Sequence, residues 1–155
     1  MQERYLGDSH DFLKYALLRR LHARTGMRLG INWYRTEPEA VDQLGNNDGE
    51  KRHHLKGGVW QQADPDLFGK IHRFEDHVNR RLANVEKWEL LPSGTVYFEQ
   101  NVCRVDRQAW HEQALASLAS LIHDARFRAR SGHLLRLAVL RGRPASLAFV
   151  SPHSD

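Results

Sequence analysis

The chain holds a single cysteine, Cys103, in 155 residues. One thiol cannot form an internal disulfide, and it excludes a zinc cluster built on cysteines. No apolar run approaches the ~18 residues that a bilayer crossing requires. The start, Met1-Gln2-Glu3-Arg4, lacks the apolar core of a signal peptide. Internal repeats, low-complexity stretches and obvious linkers are missing as well. These absences read as one cytoplasmic domain over residues 1–155, without a membrane partner and long enough to bury a real core. The net charge of +4 permits a nucleic-acid partner, though such mild basicity is common in proteins that never meet one.

What is present begins with a glycine turn and a helix. Gly7 opens a conformation closed to other residues, and Asp8, Ser9 or Asp11 can cap the helix that follows. The spacing predicts a helix over about 11–24, stopping near Gly26. Phe12, Leu13, Ala16, Leu17 and Leu21 would cover one broad apolar face, with Asp11, Lys14 and Tyr15 on the other. Arg28 to Tyr34 reads as a strand. The polar stretch from Thr36 to about Gly58 is long enough to be a functional loop. Asp64-Pro65 supplies an N-cap with proline at the first helical position. Leu67, Ile71, Phe74, Val78 and Leu82 then predict one amphipathic helix. The turn Leu91-Pro92-Ser93-Gly94 leads into a strand over 95–99. Asp106 caps a third helix with Trp110, Ala114, Leu118 and Leu121 on its buried side. This order, α-β-loop-α-β-α, implies an α/β sandwich whose parallel strands are covered by helices.

The residues grouped at the first helix start, His10, Asp11, Lys14 and Tyr15, exceed what a cap needs and resemble a ligand site. The plainer reading is a capped helix with an Asp11–Lys14 surface pair. The pattern Gly-x-x-x-Asp-x-Leu-Lys-[His/Tyr] in Gly7–Tyr15 is similar to the N-terminal segment of bacterial ribosomal-RNA adenine-N6 methyltransferases of the RlmJ type. Residues 1–120 more closely resemble an uncharacterised bacterial family that begins Tyr-Val-Gly-Asp-x-x-Asp-Phe-x-Lys. That family continues with equivalents of Leu29–Tyr34, Asn47-Asp48-Gly49 and Asp64–Phe68. The resemblance implies a Rossmann-like three-layer sandwich, here an incomplete methyltransferase-like sheet. It also implies S-adenosylmethionine as cofactor, held by Tyr5, Gly7, Asp8, Asp11 and Lys14, with Lys14 as a compact cation for the methionine carboxylate or ribose.

The chain departs from that pattern at its end. Residues 122–155 carry six arginines but no lysine or glutamate. Within them, residues 133–140 read as a strand or a short helix, and 146–151 as a strand. The catalytic Asp/Asn-Pro-Pro-[Tyr/Phe] motif of adenine methyltransferases is missing. Either Phe149–His153 is a displaced version or the tail is unrelated sequence, and the second is the preferred reading. The Gly-x-Gly turn after the first strand is missing too, with Asn32-Trp33-Tyr34-Arg35 in its place.

A second polar constellation lies in the loop. Lys51, Arg52, His53, His54 and Lys56 form the densest positive cluster, fit to receive nucleic-acid phosphates, with Trp33, Tyr34 and Trp60 flanking it to stack bases. A solvated turn with charged flanks is the bland alternative. Glu99, at a strand end, and Asp48 are the candidate catalytic carboxylates. Asp48-Gly49-Glu50-Lys51 is also similar to the acidic-plus-lysine sets of metal-dependent nucleases, although no metal site is expected, since His72 and His77 do not share a helical face. A third possibility is a non-enzymatic interaction module or remnant, self-associating through an open sheet edge.

Overall fold

The computed structural model describes residues 3–36, 51–103, 105–127, 135–140 and 146–152, with side chains described through residue 120. The fold is mixed helix and strand, and its residues group into two compact units, one of 21–36 with the chain from 94 onward, the other of 2–20 with 37–93. Helix α1 (Ser9–Thr25) contributes its first twelve residues to the second unit and its last five to the first.

In the first unit, β1 (Arg28–Asn32) pairs in parallel with β2 (Val96–Phe98), so that Gly30 stands opposite Val96 and Asn32 opposite Phe98. Leu29, Gly30, Ile31 and Asn32 are all buried, the continuous burial of a strand covered on both faces. Helix α5 (Arg107–Phe127) packs on β1 and β2. Asp106 caps it, accepting the Ala109 N–H at 2.9 Å, and Trp110, Ala114 and Leu118 are buried with Phe98. The tail supplies β3 (Leu135–Leu140) and β4 (Ser146–Pro152), an antiparallel pair in the order β2-β1-β4-β3. Strand β4 runs antiparallel along β1, from Arg28 opposite Val150 to Asn32 opposite Ser146. The segment expected as strand or short helix is therefore strand over 135–140. The edge of β1 is covered, which leaves β2 and β3 at the margins of the sheet among the described residues.

The second unit is helical. Gly7 turns the chain into α1 at φ +80°, and a Cβ there would collide with Phe74, 2.8 Å from its ring Cδ2. Asp8 caps α1, accepting the Asp11 N–H at 2.8 Å. The buried stripe of α1 is Ser9, Asp11, Phe12, Tyr15 and Leu18, while Leu13 and Leu17 are 54% and 52% exposed. This corrects the expected apolar face. Phe12 goes inward as expected, but Leu13 and Leu17 do not, and Asp11 and Tyr15, expected on the other face, are buried with it. After α2 (Val59–Ala63), α3 (Pro65–Ile71) starts as expected, with Asp64 accepting the Leu67 N–H at 3.0 Å.

The long amphipathic helix expected through Leu82 is not one helix. Helix α3 gives way to 3-10 turns at His72–Glu75 and His77–Asn79, and α4 (Leu82–Lys87) is separate. Asp76 is extended and its carboxylate accepts the Val78 N–H at 3.1 Å. That local bond competes with the helix ladder, and it leaves Val78 71% exposed. The N-terminus closes this unit. Glu3 accepts the Leu82 N–H at 2.8 Å, and the buried Arg80 donates to the carbonyls of Phe74 and Arg4.

Candidate functional site

The N-terminal motif closes on itself. The Asp11 carboxylate accepts the Gly7 N–H at 3.1 Å through Oδ2 and the Lys14 ammonium at 3.2 Å through Oδ1. Burial pushes the Asp11 carboxyl up to about 6, against the opposing pull of Lys14 and with a smaller push from Asp8. The pair is therefore not the surface pair of the plainer reading. Asp11 is 3% exposed, and Lys14 stands at the boundary with solvent. Tyr5 lies in the preceding 3-10 turn beneath the Arg4 guanidinium, 4.6 Å from its ring centre.

The structure brings the basic loop onto this motif. The Ser9 N–H donates to the Lys51 carbonyl at 2.6 Å. Arg52 donates to the carbonyls of Gly7 and Leu6 at 3.0 and 3.2 Å, so its guanidinium braces the turn. His53 and Lys56 point to solvent with Lys51, as phosphate contacts would require. His54, read from the sequence as part of the positive cluster, is instead fully buried. Its Nδ1 shares a 3.1 Å hydrogen bond with Ser9 Oγ, and its backbone N–H donates to the same oxygen at 3.2 Å. The only sequence signal for it was a histidine within a run of cations. Trp60 stands edge-on to Phe12 at 5.5 Å, half-buried.

A separate set of groups gathers at the carboxyl ends of β1 and β2 in the first unit. Asn32 is 2% exposed. Its Oδ1 accepts the Tyr34 N–H at 3.1 Å, which fixes the amide orientation, and its Nδ2 has no partner among the described residues. Tyr34 holds φ at +45°, a conformation uncommon outside glycine, and its hydroxyl shares a 2.9 Å bond with His111 Nδ1. Its ring lies 4.9 Å from that of Trp110, whose buried Nε1 also lacks a partner among the described residues. Trp33, expected to stack bases, is instead buried and stacked on Tyr97 at 5.9 Å. Glu99 follows β2 directly and is exposed.

Asp48, with Asn46, Asn47 and Gly49, lies outside the described residues. Among the described residues no three of His, Cys, Asp and Glu gather to hold a metal ion, and no helix is long and apolar enough to cross a membrane. No family model matches the chain, and neither a curated protein nor a solved structure matches it.

Proposed function

We propose that this protein is an S-adenosylmethionine-binding, methyltransferase-like domain of Rossmann-like build that acts on or binds RNA or DNA in the cytoplasm. The observation that carries the reading is the Asn32 amide. α/β folds gather ligands at the carboxyl ends of parallel strands, and Asn32 ends β1 beside its parallel partner β2. The Tyr34 N–H fixes its orientation, so the unpaired atom is a donor that cannot be removed by flipping the amide. A buried donor without an acceptor is destabilising by about 1–3 kcal/mol, and a ribose hydroxyl or carboxylate would relieve that. Independently of Asn32, the pattern from Gly7 to Lys14 resembles a cofactor-holding segment, and the part-exposed Lys14 ammonium, with Asp11 as its described partner, suits a carboxylate.

The cofactor would supply an electrophilic methyl group. The chain's own share is to bind and orient it, with exposed Lys51, His53 and Lys56 receiving phosphates and Glu99 the carboxylate to replace first. The Asp/Asn-Pro-Pro motif missing from the sequence favours a second reading, a module that binds without turnover. Titration calorimetry with S-adenosylmethionine and S-adenosylhomocysteine tests both, beside Lys14→Ala and Asn32→Leu. Micromolar binding weakened at least tenfold in Asn32→Leu is expected. No heat from folded wild-type protein would overturn the cofactor reading, whereas binding without methyl transfer to RNA or DNA would favour the module.

A further inference from the structure

The His54 ring is enclosed by Phe12, stacked at 5.8 Å, by Trp60 edge-on at 6.4 Å and by the His72 ring at 6.1 Å. Its Nδ1 shares a hydrogen bond with Ser9 Oγ, and its Nε2 is buried with no partner among the described residues. A neutral imidazole tolerates that enclosure. An imidazolium is a donor at both nitrogens whichever tautomer the neutral ring holds, so its Nε2–H has no acceptor among the described residues and its charge sits in surroundings that cannot solvate it.

We propose that His54 is a proton-operated latch, which seats the 3-10 turn His53–Lys56 on the start of α1 while its ring is neutral and releases the turn on protonation. The seat consists of four hydrogen bonds: Ser9 N–H to the Lys51 carbonyl, His54 N–H to Ser9 Oγ, and the two Arg52 bonds to the carbonyls of Gly7 and Leu6. The charged and titratable groups around the ring decide its direction. Arg52 on the same turn and His72 at the end of α3 oppose a proton, and Asp8 at the cap of α1 favours one. His72 is itself committed, through Nδ1 to the Phe68 carbonyl and toward Glu75 at 3.8 Å. Burial outweighs Asp8 and, with His72 and Arg52, holds the imidazole down at about 4. Opening the turn restores an ordinary imidazole, so each proton bound below neutrality favours the released state. Release carries Lys51, His53 and Lys56 away from the Gly7 turn. The latch stands on the geometry alone and is independent of the cofactor reading.

Residue-resolved amide exchange on the full chain, expressed as protection factors at pH 7 and 4.5, tests it. The amides of Ser9 and His54 belong to the seat, those of Leu55 and Gly57 to the turn it holds, and those of Phe68 and Trp88 serve as controls outside both. We expect the seat amides to lose protection by roughly 50-fold on acidification, with the controls changed far less. In His54→Phe that pH dependence disappears, and His54→Gln provides the same comparison should the phenylalanine variant fail to fold. Unchanged protection in the wild type, an equal fall at Phe68 and Trp88, or the same fall in the variants would overturn the latch. So would a His54 ring proton that titrates at an ordinary pH by NMR.

Discussion

Asp11 and His54 are buried in the same unit and their proton affinities move in opposite senses. Asp11 is raised from 3.8 to about 6, so its contribution to stability is present below 3.8 and lost as pH rises through about 6. His54 is lowered from 6.5 to about 4, so its contribution is present above 6.5 and lost as pH falls through about 4. Each shift corresponds to about 3 kcal/mol, and between pH 6 and 4 the two offset one another. Urea denaturation of Asp11→Asn should therefore show stability falling more steeply on acidification than the wild type, by up to about 3 kcal/mol between pH 7 and 4. A variant parallel to the wild type across that range would contradict the burial of a charged Asp11. Gly7 gives a second prediction at this scale. Gly7→Ala combines a left-handed backbone with a collision at Phe74, and denaturation should show a loss of about 2–4 kcal/mol. The need for glycine before the helix was legible in the sequence. Phe74, which makes the requirement severe, lies 67 residues away and was not.

The helices expected at Asp64 and Asp106 began at those caps, because a cap acts within three or four residues of itself, while α1 begins at Ser9, two residues before the expected start, with Asp8 the cap among the three candidates. Which face a helix buries is a different matter. In α1, Phe12 belongs to the expected and the observed face alike, and only packing chose Tyr15 and Leu18 over Leu13 and Leu17 to go inward with it. Leu13→Ala and Leu17→Ala should each cost less than about 1 kcal/mol, and Phe12→Ala about 3–5 kcal/mol. Thermal or urea unfolding that reversed this order would restore the expected face. The tie between α1 and α3 is also tertiary. Arg19 holds both oxygens of the Asp64 carboxylate, at 2.6 and 3.3 Å, and reaches Asp66 at 2.8 Å. Asp66 is held below the usual carboxylate range chiefly by its hydrogen bond to Lys70, then by Arg19, but its exposure limits its weight. A double-mutant cycle on Arg19→Ala and Asp64→Ala should give a coupling of about 1–2 kcal/mol, and a coupling near zero would mean that Asp64 acts only as the α3 cap.

For the chain as a whole, the mix of helix and strand was readable where an element announced itself by local periodicity and turn residues, as α1, β1, β2 and α5 did, but not where α2, α3 and α4 divide. The sheet was not. Strand β4 covers β1 through contacts spanning more than a hundred residues, and it came from the arginine-rich tail expected to be unrelated sequence. Ending the chain after Phe127 would bare the β1 edge along Leu29, Gly30 and Ile31. Sedimentation should then show association or aggregation beyond that of the full chain, where an unchanged profile would mean that β4 adds little. The sequence by itself determined the helix starts, the turn at Gly7, the β1 strand and the mild basicity, since these depend on neighbours along the chain. Tertiary structure alone decided that Asp11 and His54 would be buried, that Ser9 would meet His54, that Asn32 would keep an unpaired donor and that β4 would run antiparallel on β1. The physical reason is that burial and pairing free energies belong to contacts between distant segments, which local pattern does not encode.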